Sequence, residues 1–385
     1  MKIVADENIP HVSEAFADLG DVTTCAGRSI NADLVRNTDV LLVRSVTKVG
    51  EALLSGSSVS YVGTATAGLE HIDQSWLADN GIGFGHAKGA NANSVAEYVI
   101  AAMLEAGATR NLDLRKLTCG IVGFGHVGSN VYTKCQGLGL DCRVYDPPLA
   151  ENLSDNFFCD WDDILSCDIV TCHTPLTTQG TCPTYHMIDD SFFSRVTLDT
   201  ILINAARGGV VDSAALMRSR RSNPGRFVAL DVWENEPNIN SDLVDVVDIA
   251  TAHIAGYSWD AKIAGTRHVF EGVCRHFNSP CDWAPPSSAS ASPPRSIRIE
   301  VNPSDSSGVL RDIVQQAYEI TEDDRLLREA ITGRGETFDM LRKNYRTRRE
   351  FAAFEIDRST LDTQTAADCD ALGFTFLKTG QLSKK

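Results

Sequence analysis

Short apolar runs alternate with amphipathic stretches along the first part of the chain. The apolar runs at residues 3–5, 40–43, 60–63 and 82–84 are predicted strands, and the stretches at 12–19 and 51–54 are predicted helices. Strands that alternate with helices are typical of a parallel sheet with helices on its faces. The pattern therefore predicts an α/β lobe in this part of the chain.

The same alternation begins again near residue 117 and continues to about residue 254, with predicted core strands at 169–173, 201–204, 228–232 and 247–251. A mostly apolar helix precedes this region, and Ser94 and Glu97 predict a capping box at its start. A second long helix is predicted at 261–277. We expect a first lobe of residues 1–93 and 260–281, with a second lobe, residues 94–259, inserted into it.

The pattern changes after residue 281. Residues 282–295 are rich in proline and serine and form a predicted linker. Predicted strands at 297–301, 351–356 and 374–377 and an amphipathic helix at 310–320 indicate a small α+β domain at 296–385. That region carries a basic cluster, made of Arg342, Lys343, Arg346, Arg348 and Arg349. The predicted fold is α/β, with two Rossmann-like doubly wound parallel-sheet lobes and a small C-terminal α+β domain.

The composition of the chain argues against several kinds of binding partner. The chain has 385 residues and a formal net charge of −16, which argues against nonspecific binding to nucleic acid or anionic membranes. Its 11 cysteines are scattered singly, without a CxxC pair or metal-ligand spacing. We interpret the N-terminal residues 1–7 as the start of a strand, and we do not expect a signal peptide there. We therefore expect a cytoplasmic protein with reduced thiols, no metal, no nucleic-acid partner and no membrane association.

A glycine-rich loop follows the apolar run at 119–122. Gly123 permits a tight turn, Gly125 lets the backbone approach a pyrophosphate, and Gly128 lets the next helix lie against the sheet. Asp146 ends the next apolar run, about 20 residues further on, where a carboxylate accepts hydrogen bonds from ribose hydroxyls. A carboxylate there repels the 2′-phosphate of NADP, so the sequence predicts NAD as the cofactor.

Three ionisable residues follow predicted strands of the second lobe, at the sheet edge where ligands bind. Arg207 precedes two glycines, and its guanidinium suits a carboxylate. His253 follows the last strand, and Glu236, with Glu234 as its competitor, follows the preceding one and is expected to orient the imidazole. Oxidation of a hydroxy acid needs a carboxylate anchor, a base and a group that orients the base. The predicted catalytic set is therefore Arg207, Glu236 and His253.

The glycine loop and the segments around Arg207, Glu236 and His253 resemble the D-2-hydroxyacid dehydrogenase family. Motifs at residues 1–10, 43–49, 63–68, 253–257 and 341–350 match one branch of that family, so the resemblance covers essentially the whole chain. The resemblance implies an NAD-dependent oxidation of a phosphorylated 2-hydroxy acid, with His253 as the acid and base.

The same resemblance implies further site residues and a partner. It implies that the substrate is bound by Ser45, Thr66 and Tyr257. It implies an NAD site lined by Asp146, Thr174, Ala205, Ala206, Arg207, Asp231 and Gly256. It also implies a homodimer, formed through the C-terminal domain.

A phosphorylated substrate needs cationic partners in a chain of negative net charge. Arg44, which precedes Ser45 at the end of a predicted strand, is the first candidate, and the basic cluster is the second. The alternative for Arg44 is a solvated side chain at a strand end. The alternative for the basic cluster is a helix face that complements acidic surface elsewhere.

The chain departs from the family pattern in its loops. Ala206 stands where Cys is expected, and Ala252 where Pro is expected; the other departures are Lys88, Ala90, Leu69 and Glu70. None removes a functional group, but they leave the fit of the substrate open. Two alternative functions are a dehydrogenase for another 2-hydroxy acid such as 3-phosphoglycerate, and a non-catalytic NAD-sensing interaction protein, since the resembling fold also serves as a transcriptional corepressor.

Overall fold

The structure is a computed structural model that describes residues 1–152, 157–285 and 308–377, together with the backbone of 295–297. The chain forms two compact units. The first contains Met1–Asn91 and Ser258–Pro293, and the second contains Ala92–Tyr257 and Pro294–Lys385. The chain thus leaves the first unit before a long helix and returns to it before another.

The strands are β1 (Lys2–Asp6), β2 (Asp21–Cys25), β3 (Val40–Val43), β4 (Tyr61–Thr64), β5 (Gly83–His86), β6 (Thr118–Val122), β7 (Asp141–Tyr145), β8 (Ile169–Cys172), β9 (Ile201–Asn204), β10 (Val228–Leu230), β11 (Ile249–Ala250), β12 (Arg295–Ile297), β13 (Phe354–Ile356) and β14 (Thr375–Phe376). The helices are α1 (Val12–Ala15), α2 (Ala32–Val35), α3 (Glu51–Leu54), α4 (Gln74–Asp79), α5 (Ala92–Arg110), α6 (His126–Gly137), α7 (Pro147–Ala150), α8 (Trp161–Leu165), α9 (Asp190–Arg195), α10 (Ser213–Ser222), α11 (Ser241–Val246), α12 (Trp259–Phe277), α13 (Val309–Ala317), α14 (Ile320–Ile331), α15 (Phe338–Lys343) and α16 (Thr363–Leu372).

The first unit is built on a parallel sheet with the strand order β2-β1-β3-β4-β5. Its central strands β3 and β4 are buried along their whole length. The edge strand β2 was not predicted, because its polar, partly exposed residues form no apolar run. Helix α12 covers the sheet, and Val269 and Val273 pack in one core with Val40 and Leu42.

The second unit contains a six-stranded parallel sheet with the order β11-β10-β9-β8-β6-β7. Strand β6 pairs with β7 on one side and with β8 on the other. The direction in which successive strands are added to the sheet therefore reverses at β6. Ligands bind at such a switch point, outside the carboxyl ends of the strands. The predicted doubly wound α/β architecture is confirmed.

The capping box predicted at Ser94 and Glu97 is wrong. The helix begins at Ala92, so Ser94 and Glu97 lie inside it, and both are buried. Ser94 Oγ donates to Glu350 Oε1 (2.5 Å), and Glu97 Oε1 accepts the N–H of Phe351 (2.8 Å). Burial and the negative charge of Glu350 raise the pKa of Glu97 to about 8. The two residues bind the C-terminal segment and do not cap the helix.

The C-terminal residues belong to the same compact unit as the six-stranded sheet. They form a parallel sheet with the order β12-β13-β14 and share an apolar core with α5 and α6. Lys134 of α6 donates to the carbonyl of Leu372 (2.7 Å), and Arg311 of α13 pairs with Glu105 of α5 (2.9 Å). These polar contacts attach the C-terminal segment to α5 and α6 of the same unit.

Some predicted elements have other bounds in the structure. The helix predicted at 310–320 is divided between α13 and α14, because Tyr318 has an extended backbone. The strand predicted at 351–356 is limited to β13. Most of the predicted strand at 297–301 and of the predicted linker at 282–295 lies outside the described residues. Within the described part of the chain, no helix combines the length and apolar character needed to cross a membrane.

Candidate active site

The predicted glycine loop lies between β6 and α6, at the switch point of the second sheet. Gly123 has a φ of +92°, a backbone conformation that favours glycine. A Cβ atom on Gly128 would lie 2.0 Å from the carbonyl oxygen of Gly123, so only glycine permits this turn. A Cβ on Gly125 would meet no atom within 4 Å, so the space beside the start of α6 is open. This loop has the shape that a pyrophosphate needs.

Asp146 follows β7, and its carboxylate faces the glycine loop. Its Oδ2 atom accepts the N–H of Phe124 (2.7 Å), and its Oδ1 atom accepts the N–H of Leu149 (3.1 Å) at the start of α7. These two hydrogen bonds fix the carboxylate beside the loop, where the sequence predicts the ribose of NAD.

The other residues predicted to bind NAD follow the carboxyl ends of neighbouring strands. They are Thr174 after β8, Ala205 and Ala206 after β9, Asp231 after β10, and Gly256 after β11. Thr174 Oγ1 is buried and has no hydrogen-bond partner among the described residues. An unpaired buried hydroxyl at this edge fits a polar group of a bound cofactor.

Asp231 also binds the backbone of the loop that carries His253. Its carboxylate accepts the N–H groups of Ile254 (2.8 Å) and Ala255 (2.9 Å), and its carbonyl accepts the N–H of His253 (2.8 Å). His253 itself has a φ of 55°, which a non-glycine residue adopts at a cost of about 1–3 kcal/mol. The buried Asp231 therefore stabilises the strained loop that carries the histidine.

His253 and Glu236 are brought together as the sequence predicts. His253 Nδ1 lies 2.6 Å from Glu236 Oε2, and Glu236 Oε1 accepts the N–H of Trp233 (2.8 Å). Burial raises the pKa of Glu236, but the hydrogen bonds from His253 and Trp233 and the nearby charge of Arg342 outweigh it and hold this pKa below its ordinary value. An ionised Glu236 accepts from Nδ1–H, so in the neutral ring Nε2 is the acceptor.

Glu234, the competing carboxylate, binds a different histidine. Its Oε1 atom lies 2.8 Å from His186 Nε2, and its Oε2 atom accepts the N–H of Ser213 (3.1 Å). His186 Nδ1 also lies 4.0 Å from Asp212 Oδ2. The loops that follow the strands of the second sheet therefore carry a second histidine–carboxylate pair besides His253 and Glu236. This pair was not predicted, because His186 lies in a polar loop.

Arg207 lies in the loop after β9 and directly follows Ala205 and Ala206. The neighbouring Gly208 packs so closely on the backbone of Trp233 that a Cβ atom would lie 2.0 Å from its carbonyl group. The loop that carries Arg207 therefore touches the loop that carries Glu236. Arg207 Nη1 donates to the carbonyl of Ala206 (2.8 Å), which fixes part of the guanidinium at this sheet edge.

The first unit holds the remaining residues predicted to bind the substrate. Arg44 and Ser45 follow β3, and Thr66 follows the neighbouring strand β4. Thr66 Oγ1 donates to the carbonyl of Gly68 (3.1 Å). Burial lowers the pKa of Lys262, in the first turn of α12, and the positive charge of Arg44 lowers it further. Lys262 is a second cation near Arg44 that sequence analysis missed, since its position follows only from the return of α12 to this unit.

The basic cluster has mixed roles. Arg348 is buried and donates to the carbonyl groups of Ser94 (2.7 Å) and Ala255 (3.0 Å), while Arg346 pairs with Asp323 (3.1 Å). Arg342, in contrast, donates from Nη2 to Tyr257 Oη (3.0 Å). One member of the cluster therefore contacts a predicted substrate-binding residue.

One of the departures from the family pattern, Ala252, lies beside a cavity. Ala252 lines this cavity of about 170 Å³ together with Ile254, Leu326 and Leu341.

In the described residues, no three His, Cys, Asp or Glu side chains are grouped so that they could hold a metal ion. All 11 cysteines are free thiols.

Two family models match the chain. The model of the D-isomer specific 2-hydroxyacid dehydrogenase NAD binding domain matches residues 91–255. A domain of unknown function matches residues 292–373. The two matches together cover most of the second compact unit.

Curated relatives match nearly the whole chain. The erythronate-4-phosphate dehydrogenase of Klebsiella pneumoniae is 43% identical over 97% of this chain and 98% of its own length. The enzyme of the same name from Cellvibrio japonicus is 41% identical over 97% of this chain and 99% of its own length.

Solved structures match a smaller share. The NAD⁺-bound 3-phosphoglycerate dehydrogenase of Entamoeba histolytica matches with a TM-score of 0.62 and 23% identity, over 72% of this chain and 95% of that one. D-Lactate dehydrogenase from Aquifex aeolicus, complexed with NAD and lactic acid, matches with a TM-score of 0.59 and 23% identity, over 72% of this chain and 96% of that one. At this identity the match shows the fold.

Proposed function

Because the chain belongs to the erythronate-4-phosphate dehydrogenase family, within the D-isomer specific 2-hydroxyacid dehydrogenases, we propose that it oxidises 4-phospho-D-erythronate with NAD. The product is (R)-3-hydroxy-2-oxo-4-phosphooxybutanoate, and the reaction belongs to pyridoxal phosphate biosynthesis. The observation that carries the proposal is the 2.6 Å contact between His253 and Glu236 at the carboxyl edge of the second sheet.

His253 is the base. Its neutral ring accepts the proton of the C2 hydroxyl at Nε2, because Nδ1 carries the proton shared with Glu236. The resulting imidazolium is stabilised by the ionised carboxylate 2.6 Å away. In the reverse direction the same ring returns the proton to the carbonyl oxygen.

Arg207 anchors the substrate. A guanidinium binds a carboxylate through two parallel hydrogen bonds, which fixes the C2 atom relative to the base. The close contact of Gly208 with Trp233 supports this role, since it keeps the arginine loop against the loop of Glu236. The positive charge also stabilises the forming carbonyl oxygen.

The residues of the second unit fit NAD. Gly125 leaves open space at the start of α6, Asp146 is fixed beside the loop, and Thr174 Oγ1 is a buried hydroxyl without a partner among the described residues. These residues, with Asp231 and Gly256 at the same edge, would hold the cofactor. When bound, NAD accepts the hydride that leaves C2 of the substrate.

Arg44 and Lys262 are the proposed partners of the substrate phosphate. Burial and the positive charge of Arg44 lower the pKa of Lys262, and a bound anion between the two cations would offset this unfavourable environment. Ser45 and Thr66 follow neighbouring strands at the same edge of the first sheet. The hydroxyl of Ser45 is an additional hydrogen-bond donor, whereas the hydroxyl of Thr66 already donates to the carbonyl of Gly68 and offers its oxygen as an acceptor.

We also propose a homodimer formed through the C-terminal residues, and a cytoplasmic location. The support for the dimer is the sequence resemblance described above, which extends through the C-terminal segment. The support for the location is the composition, with 11 cysteines that are all free thiols. Size-exclusion chromatography with light scattering, on the full chain and at several concentrations, tests the dimer directly.

Formation of NADH from 4-phospho-D-erythronate by the purified chain tests the proposed function. D-3-Phosphoglycerate is the comparison substrate, and the expected kcat/KM is higher for 4-phospho-D-erythronate. A higher kcat/KM for 3-phosphoglycerate would assign the chain to that substrate instead. Binding of NAD without turnover of either acid would support a sensing function.

A further inference from the structure

The C-terminal segment contacts the loop that carries His253 at three points. Asp324 Oδ1 accepts the N–H of Ala250 (2.7 Å) just before the loop. Arg348 donates to the carbonyl of Ala255 (3.0 Å) within it. Arg342 donates to Tyr257 Oη (3.0 Å) at its end. The segment that matches a domain of unknown function therefore lies against the proposed catalytic loop.

Arg342 differs from its neighbours in what it binds. Arg346 and Arg348 are paired with acidic side chains or carbonyl groups of the protein framework, and both also lie over the ring of Tyr318, 5.9 Å and 3.7 Å from its centroid. The guanidinium of Arg342 lies 5.6 Å from the centroid of the Tyr257 ring and donates a hydrogen bond to its Oη atom, so its partner is a predicted substrate-binding residue. The Nε atom of Arg342, like that of Arg348, is buried and has no partner among the described residues. Arg342 is thus a cation held at the site by an aromatic residue.

The position of this cation has two consequences. A guanidinium only donates hydrogen bonds, so Tyr257 Oη is the acceptor, and the phenol is held with its oxygen toward Arg342. The same charge acts on Glu236, the partner of His253. Arg342 therefore supplies positive charge beside both a proposed substrate-binding residue and the proposed catalytic pair.

We propose that Arg342 is a positioning residue that fixes Tyr257 and thereby favours a phosphorylated over an unphosphorylated 2-hydroxy acid. This inference rests on the proposed function. A phosphorylated 2-hydroxy acid carries two anionic groups, and a chain with a net charge of −16 needs local cations to bind it. The role also gives the C-terminal segment a part in catalysis besides its proposed part in dimerisation.

The test compares Arg342→Gln with Lys343→Gln, a matched loss of one charge on the same helix at an exposed position. The substrates are 4-phospho-D-erythronate and D-erythronate, the latter measured by its Ki against the phosphorylated acid if its turnover is too slow. Arg342→Gln is expected to lower kcat/KM for the phosphorylated acid roughly 10- to 100-fold, mainly through KM, the range for a lost hydrogen bond to a charged group. The affinity for D-erythronate is expected to change less than about threefold, and Lys343→Gln to leave both within about twofold of the unchanged enzyme.

Two further variants separate positioning from a general loss of structure. In a Tyr257→Phe background, Arg342→Gln is expected to add little, because the two residues act as one unit. Arg342→Lys is expected to restore part of the loss, since it keeps the charge and a donor. The Kd of each variant for NAD, measured by fluorescence, is expected to match that of the unchanged enzyme and reports that the site is folded.

The outcomes distinguish the two proposals. An Arg342→Gln enzyme with unchanged kinetics would overturn the role of Arg342 and leave the proposed function standing. Equal losses for both acids, additive with Tyr257→Phe, would also overturn it. If the unchanged enzyme binds NAD but oxidises neither acid, the proposed function itself fails, and the inference fails with it.

Discussion

The molecule contains two histidine–carboxylate pairs at the same sheet edge, and they differ in what the second ring nitrogen faces. In the pair His253–Glu236, Nδ1 contacts the carboxylate, and no hydrogen bond to Nε2 is found among the described residues. In the pair His186–Glu234, Nε2 contacts Glu234 while Nδ1 lies 4.0 Å from Asp212. His186 is also stacked on the ring of Tyr185, with centroids 3.9 Å apart.

The comparison shows that a short histidine–carboxylate contact does not by itself define a catalytic base. A base needs one nitrogen bound to its orienting group and the other open to the substrate. His186 has a carboxylate on each side and holds its loop in place, as the N–H of Ser213 on Glu234 Oε2 indicates. Of the two histidines, His253 meets the requirement, and its strained backbone at a φ of 55° presents the ring after the end of β11.

The replacement of each histidine by asparagine is the strongest test of this difference. His253→Asn is expected to lower kcat roughly 10²- to 10⁴-fold, because the proton acceptor is lost. His186→Asn is expected to keep kcat within about threefold, because its ring does not meet the substrate. Steady-state NADH formation measures both. Equal kcat values for the two variants would place the base elsewhere.

The replacement of each carboxylate by its amide tests the orienting group. Glu236→Gln is expected to lower kcat roughly 10- to 1,000-fold, since an amide donor opposite Nδ1 favours the tautomer whose Nε2 carries the proton. Glu234→Gln serves as the control and is expected to change kcat less than about threefold. If Glu234→Gln proved the more damaging of the two, the assignment of Glu236 would be wrong.

The dependence of the reaction rate on pH is a further test of His253 as the proposed base. In the proposed mechanism the hydroxyl proton goes to a neutral imidazole, so the rate of oxidation is expected to rise with increasing pH. The pKa of Glu236 is held below its ordinary value, so this carboxylate is already ionised at mildly acidic and neutral pH. A rate profile without an acid limb, measured where chemistry limits turnover, would count against His253 as the base.

Much of this site follows from the sequence, because its residues are read from local patterns. The glycine loop, Asp146, Arg207 and His253 each follow an apolar run, and the carboxyl ends of parallel strands meet at one edge. The choice between Glu234 and Glu236 does not follow from the sequence. The two carboxylates lie two residues apart after the same strand, and only the path of the loop decides which histidine each one meets.

Other features were not predictable because they depend on contacts between distant segments. The strand β2 has no apolar run, and Ser94 and Glu97 resemble a capping box until the start of α5 is known. The roles of Lys262 and Arg342 depend on where helices far along the chain return. The sequence places Arg342 in a basic cluster, but composition does not separate it from Arg348, which donates to carbonyl groups.

The smallest expected effect concerns stability and assigns a structural role to the second pair. Burial raises the pKa of Glu234, but the hydrogen bonds from His186 and Ser213 outweigh it, so its pKa in the folded state is below its ordinary value. A carboxylate of this kind stabilises the fold fully above its unfolded pKa of about 4.3, and this stabilisation is lost as pH falls through the folded pKa. Glu234→Gln is therefore expected to lower the free energy of unfolding by about 1 kcal/mol at pH values near 7, with a smaller difference near pH 4. Urea denaturation at several pH values measures this difference. A loss that stays constant down to about pH 4 would show that the ionised form of Glu234 is not what holds the loop.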